Sequence, residues 1–409
     1  MGREGLIIGG GASGLTAAIA AAKGGARVTL LEHMPRVGKK ILSTGNGRCN
    51  MTNLALSASC YRCGEPDFPM KVIGRFPVPE TLAFFRRLGI VTTERNGYVY
   101  PASGQAQTIL DALREEVESL KIRVICDCGE LTVKKDGARF FVRSDSGTFS
   151  GDFLILAAGS MAAPATGSDG SGYKLSKAFG HSVKKPLPAL VQLRCRGDFF
   201  KSVAGVRTEA KVSLYGNGEF LCEDRGELQL TDYGISGIPV FQVSRFAAEA
   251  LDKKKKVEAV LDFFPSIDEG AFFALLRKQQ KYLAGRTCES FLNGIFHKKL
   301  AAMFLKQAGI RPAREVSELS KRELLALTSL IKGFSIPVTA TNPFEQAQVC
   351  MGGVKTREID PSTMESRLVP DLYFAGEILD VDGICGGYNL QWAWSSGYLA
   401  GKSAAEKGK

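Results

Sequence analysis

The sequence predicts an α/β protein whose principal domain is built on a parallel sheet and is interrupted by an inserted β-barrel and a small helical subdomain. Three observations predict it. The chain opens with a strand, a glycine turn, a helix and a second strand over Gly5–Glu32. Its middle changes to short alternating segments and then to helical periodicity. Its final stretch returns to a strand, a glycine-rich loop and a long helix, so the two outer segments belong together.

In the opening unit, Leu6-Ile7-Ile8 is an apolar run of buried-strand type, followed at once by glycines. Gly9, Gly11 and Gly14 satisfy G-x-G-x-x-G, with Ala12 and Ser13 inside the turn, and Leu15–Lys23 reads as a helix. Gly24-Gly25 stops that helix, and Arg27–Leu31 forms the next strand, closing on Glu32. Gly9 permits a tight turn, Gly11 lets the backbone approach a pyrophosphate, and Gly14 lets helix and strand pack closely. The helix start offers free N–H groups and a positive dipole end to phosphates. Glu32 can accept hydrogen bonds from both ribose hydroxyls. The motif alone is weak evidence; with strand, helix, second strand and acid in register it predicts a dinucleotide site.

Composition sets wide bounds. At 409 residues the chain is long for one core, so two or three domains are expected. No secretory signal is visible, and the uncharged run Leu6–Ala22 is too short and glycine-rich for a membrane span. Ten cysteines spread through so large a chain are expected as reduced thiols, which points to the cytoplasm. The net charge of +11 suits anionic small-molecule substrates as well as nucleic acid. The densest run, Lys253–Lys256, follows a helix over Gly237–Leu251 and reads as a solvated turn. No interleaving of aromatic and basic residues marks an RNA-binding strand, so a nucleic-acid partner is disfavoured. The three histidines, His33, His181 and His297, stand far apart, and Cys60-x-x-Cys63 lacks a second pair, so no metal site is predicted.

Along the chain, Val78–Leu88 and Gln105–Leu120 read as helices, and Ile122–Ile125 and Glu130–Val133 as strands. Phe153–Leu156 is a buried strand ending on Ala157, Ala158, Gly159 and Ser160, and Ala165–His181 opens another helix from a Gly-Asp-Gly turn. Short alternating segments from about Leu190 (Val191–Cys195, Ala210–Tyr215, Val257–Phe263) suggest the barrel, and Ile267 to Ile331 is helical. The expected domains are therefore 1–189 and 342–409 for the principal domain, 190–266 for the barrel and 267–341 for the helices.

The return over Leu372–Gly401 holds a strand (Leu372–Ala375), the pair Gly376-Glu377, Asp380, and Gly386-Gly387 before a helix that begins near Asn389. Such an ending accompanies the opening motif in FAD-binding proteins of the glutathione-reductase superfamily. Glu377 or Asp380 would be the carboxylate on the flavin's ribityl or phosphate region. The amides of Gly387–Leu390, Asn389 included, would face the flavin's N1–C2=O end. The cofactor expected is FAD, bound non-covalently by a Rossmann-like domain.

The resemblance is specific at this point. The loop GKKILSTGNGRCNMTN (Gly38–Asn53), the turn ATGSDGSGY, the segments LTDYGISG and GGVKTREI, and the ending GEILDVDGICGGYNLQWAWSSGYLAG are similar to the BaiN/YhiN-type FAD-dependent oxidoreductases. The similarity runs in order through essentially the whole chain and departs from the family pattern at Cys350-Met351. It implies that the polar loop wraps the FAD pyrophosphate and the flavin edge. Lys39 or Lys40 would neutralise phosphate charge, Thr44, Gly45 and Gly47 would supply hydroxyl and amide donors, and Arg48, Cys49 and Asn50 would face the isoalloxazine or its ribityl chain. The inserted blocks are expected to roof the flavin. The family includes reductases of conjugated double bonds in 3-oxo bile acids and oxidases of aminoacetone. The first chemistry, with NAD(P)H as a transient donor, is the expectation; an amine oxidase and a tRNA-modifying flavoprotein are the alternatives. Tyr233 and Tyr388 suit proton donation and packing equally, so no catalytic residue is assigned.

Overall fold

The computed structural model describes residues 2–407. It divides into two compact units, one of residues up to Leu187 with those from Gln348 onward, the other Pro188–Ala347. The first unit begins β1 (Glu4–Ile8), α1 (Ala12–Lys23), β2 (Arg27–Leu31). After the polar loop come α2 (Ala106–Ser119), β3 (Arg123–Ile125), β4 (Phe153–Leu156) and α3 (Ser171–Ala178). β1 and β4 are apolar at nearly every position because both faces of a parallel sheet are covered.

The second unit is a closed barrel wrapped with helices. Its strands are β5 (Leu193–Cys195), β6 (Arg207–Gly216), β7 (Glu219–Leu230), β8 (Gly234–Gly237), β9 (Val257–Asp262) and β10 (Phe334–Thr341), closed in the order β5-β8-β7-β6-β9-β10. Every neighbouring pair is antiparallel. α4 (Ile238–Asp252) lies between β8 and β9, and α5 (Glu269–Tyr282), α6 (Lys298–Gln307) and α7 (Lys321–Lys332) between β9 and β10. Barrel and helices share one core, in which Leu214, Leu261 and Ile336 pack with Phe272, Phe304 and Leu327. The sixth strand thus arrives after the helices, in a segment the sequence reading grouped with them. Pro337, opposite Glu258, interrupts the strand signal while Phe334, Ile336 and Val338 keep the inward alternation.

The chain then returns to the first unit with β11 (Leu372–Phe374) and α8 (Tyr388–Glu406). β11 completes a five-stranded sheet, β11-β4-β1-β2-β3, parallel throughout. α8 crosses α1 at backbone distance. A Cβ on Gly397 would stand 2.3 Å from the Ser13 carbonyl oxygen, and one on Gly401 2.1 Å from that of Ala17.

One buried polar link ties the end of the α3 segment to the chain before β11. His181 Nδ1 lies 3.1 Å from Glu358 Oε2, and its Nε2 2.8 Å from Ser366 Oγ. The amides of Leu368 and Val369 donate to Ser366 Oγ, so the hydroxyl's own proton goes to Nε2 and Nδ1–H faces Glu358. This arrangement needs a neutral ring. Burial holds the His181 pKa below its ordinary value, outweighing the Glu358 carboxylate.

Two outcomes are expected. Gly401→Ala forces the helices apart and should cost about 1–3 kcal/mol, read as a lowered thermal midpoint. Because folded His181 resists protonation, its contribution is complete above the ordinary histidine value of about 6.5 and is lost as pH falls below it. The midpoint should drop in that window, and His181→Asn should delay the drop until the carboxylate range.

Candidate FAD site

The opening motif folds into the predicted turn, and its three glycines have different reasons. Gly9 has φ +102°, and a Cβ there would stand 2.4 Å from the Ala157 carbonyl oxygen. At Gly14 a Cβ would fall 1.8 Å from the Gly9 oxygen, so helix and strand need it. Gly11 is different: nothing in the protein lies within 4 Å of a Cβ placed on it. No packing explains the bare backbone at Gly11, which leaves room for a pyrophosphate to approach it. Ala12 and Ser13 begin α1 there, and no acidic residue stands in its first turn. Glu32, buried at the tip of β2, accepts from Gly10 N at 2.7 Å through Oε2 and from Met34 N at 2.9 Å through Oε1.

The C-terminal motif reaches the same turn. Ser13 Oγ donates to the Ala375 carbonyl, and a Cβ on Gly376 would collide with Ser13 Oγ at 2.4 Å. Glu377 Oε2 accepts from Lys40 Nζ at 2.7 Å and from Ser160 Oγ at 3.1 Å. The other candidate carboxylate, Asp380, is almost fully buried and is held by Gly352 N at 3.1 Å and Lys184 Nζ at 3.2 Å. Of the two, Glu377 therefore remains within reach of a ligand, and Asp380 anchors the strand that carries GGVKTREI. Lys39 bonds the Ala165 carbonyl instead. Ala158 and Gly159 follow β4, and a Cβ on Gly159 would meet Ser168 Oγ at 2.5 Å.

The polar loop is a short 3-10 turn, Ile41–Gly47, broken at Thr44, Gly45 and Asn46. Thr44 Oγ1 donates back to Ile41 O, while Gly45, Gly47 and Arg48 are exposed. Cys49 corrects the sequence reading: with φ +56° its thiol turns into the core, wholly buried, and burial pushes its pKa up to about 12. It packs and does not face a ligand. Asn50 is buried too, but its Oδ1 has no hydrogen-bond partner.

Two indoles of α8 hold the loops in place. Trp392 Nε1 donates to Gly376 O and Trp394 Nε1 to Met51 O, each at 3.0 Å. Asn389 bridges Gly383 with both amide atoms, at 2.7 and 2.9 Å, so its side chain shapes the approach to α8. Leu390 packs against the core. Tyr388 is buried and its phenol is pushed up by burial beside Cys60, which suits packing. Tyr233 belongs to the second unit, where its hydroxyl accepts from Asn342 Nδ2 at 2.9 Å.

Several contributors escaped the sequence reading. Thr52 bonds Gln391 at 2.6 Å, Asn53 Nδ2 donates to Gly386 O at 3.0 Å, and Tyr173, in the ATGSDGSGY turn, buries a hydroxyl without a partner. The NMTN end of the loop was the visible trace of the first two. Among the described residues no acid, cysteine and histidine group could hold a metal. Burial pushes the Cys63 thiol up to about 11, so it stays protonated beside Thr356.

The open turn at Gly11, the reachable Glu377 and the orphaned Asn50 oxygen fit a bound dinucleotide with a polar ring. Glu32→Gln should weaken FAD binding by about 1–3 kcal/mol by replacing an ionised acceptor. Titration of the apo-protein measures it, and an unchanged Kd would show that Glu32 serves only its own loop.

Comparison with known proteins agrees. Residues 3–403 match the family described as HI0933-like protein Rossmann domain. The chain is 46% identical over 403 residues to the 3-dehydro-bile acid delta(4,6)-reductase of Clostridium scindens, covering 98% of each. It is 30% identical over 399 residues to the ribosomal RNA dihydrouridine synthase of Escherichia coli, covering 97% of this chain and 96% of that one. In fold it is similar to 3-ketosteroid delta1-dehydrogenase from Sterolibacterium denitrificans, with a TM-score of 0.52, 11% identity and coverage of 98% and 99%. No helix among the described residues is long and apolar enough to cross a membrane. The chain belongs to the HI0933-like Rossmann-domain family, the BaiN/YhiN-type FAD-dependent oxidoreductases that its motifs resemble.

Proposed function

We propose that this chain is a FAD-dependent reductase of carbon–carbon double bonds conjugated to a carbonyl, with NAD(P)H as electron donor. The observation that carries this reading is the meeting of the two terminal motifs at one place in one unit. The amides of α1, Glu32, the Lys40–Glu377 pair and the amides before α8 would hold the cofactor. Bound FAD supplies two-electron chemistry, and the chain supplies binding, orientation and electrostatics. The N-terminus of α1 offers positive potential for phosphate, and that of α8 for a ring carbonyl on which negative charge builds. No second G-x-G-x-x-G occurs, so NAD(P)H would dock transiently without a domain of its own.

The substrate reading rests on the relatives. The name of the bile-acid relative describes reduction of double bonds conjugated to a 3-oxo group, and dihydrouridine is uridine reduced at a bond conjugated to a ring carbonyl. Both names fall in one reaction class. The 46% identity favours a hydrophobic, anionic 3-oxo-Δ4 or Δ6 substrate of bile-acid type. A second reading has support of its own: the dihydrouridine relatives and the net charge of +11 suit a uracil in RNA, a partner that charge patterning alone disfavoured.

Anaerobic stopped-flow tests it. NAD(P)H should bleach the flavin, and a 3-oxo-Δ4 bile acid mixed under argon should restore its absorbance. Restoration by a uridine-containing RNA alone would select the second substrate. Return of colour only on admission of air would replace the reductase with an oxidase.

A further inference from the structure

A small antiparallel sheet in the first unit carries two tyrosines that cofactor binding leaves unused. It pairs Tyr98–Pro101 with Thr52–Asn53 on one side and with Thr92–Arg95 on the other. Val99 and Thr52, opposite each other, are buried on one face. Tyr98 and Tyr100, two residues apart, share the other face, with Arg95 directly across from Tyr98. That face meets both loops of the candidate FAD site. A Cβ on Gly45 would lie 3.8 Å from the Tyr100 ring, and one on Gly386 2.9 Å from the Tyr98 ring. Tyr100 is half-buried, so it borders the site and keeps some contact with water. Burial and the neighbouring Cys385 hold its phenol above the ordinary range, while the Arg48 and Arg95 guanidiniums pull the other way. The proton therefore stays on oxygen at neutral pH, and two cations stand ready to stabilise the phenolate once it has gone.

Reduction of a double bond conjugated to a carbonyl needs such a group. Hydride from the reduced flavin makes the C–H bond at the β carbon, and the π pair moves to the carbonyl oxygen as an enolate. The α carbon then requires a proton. We propose that Tyr100 is the proton donor of this step: its O–H bond breaks as the α C–H bond forms, and the phenolate takes a proton back from water. The assignment rests on the reductase reading and applies alike to a 3-oxo-Δ4 steroid and to a uracil ring.

The test uses the FAD-loaded full-length chain, reduced with NAD(P)H under argon. It is mixed with a 3-oxo-Δ4 bile acid, with a uridine-containing RNA, and with ferricyanide, which takes electrons without protonating a carbon. Tyr100→Phe should slow reoxidation by the acceptor that serves the wild type at least about a hundredfold. Bleaching by NAD(P)H, reoxidation by ferricyanide and the Kd for FAD of the apo-protein should not change, whereas loss of mere packing would shift them together. If Tyr100→Phe matches the wild type with its acceptor, the proposal is overturned. Loss of that step in Cys385→Ser, with Tyr100→Phe retaining it, moves the donor to the thiol and overturns the proposal too. A wild-type flavin reoxidised by neither the bile acid nor the RNA removes the reductase reading, and the assignment with it. The thermal midpoint reports whether Tyr100→Phe folds. Where it does not, Arg95→Gln decides: it should slow the same step and spare ferricyanide, and wild-type rates with both overturn the proposal.

Discussion

The first unit depends on two helices meeting backbone to backbone. Gly397 and Gly401 let α8 lie on the carbonyls of Ser13 and Ala17, where any side chain would intrude. That approach puts Ser13 within bonding reach of Ala375 and seats the Gly376 turn on it. The two indoles of α8 then donate to backbone carbonyls in two separate loops. A single helix thereby sets the position of the C-terminal turn and of the polar loop against the nucleotide turn. The binding elements come from opposite ends of the chain, yet they are as rigid as one packed helix pair.

Electrostatics follows from this placement. Lys40 and Glu377 are both partly buried, and each without the other would be a costly unpaired charge. With the pair neutralising itself, the positive potential at the turn comes largely from the free amides of α1. Backbone dipoles are fixed by the fold, so this potential needs no reorganisation when an anion arrives.

Legibility in the sequence tracked how local each constraint is. The β1–α1–β2 unit and its terminal acid were readable because each requirement falls on a neighbouring residue. The barrel was legible as a change of pattern, but β7 was hidden by its outward charges, Glu219 to Glu227, and β10 by Pro337. The choice between Glu377 and Asp380 could not be read, since it turns on Lys40 and Lys184, hundreds of residues away in the chain. The burial of Cys49 could not be read locally, since it comes from packing into the core of the first unit and from no pattern in the loop itself. The orphaned oxygen of Asn50 is a property of packing, and no sequence pattern announces it.

The strand order has a consequence for how the protein is made. β4 lies between β1 and β11, and β11 pairs with it only after residues beyond Leu372 have been synthesised. Until then Phe153–Leu156, four fully buried apolar residues in the finished protein, form an open edge. More than two hundred residues separate the partners, so at ~5–20 residues per second the ribosome leaves that edge bare for roughly 10–40 s. During that time the second unit can close its own barrel and core, which draw on no later part of the chain. The nascent chain therefore carries a finished domain beside an unfinished sheet, and chaperones that shield strand edges would find their target at β4.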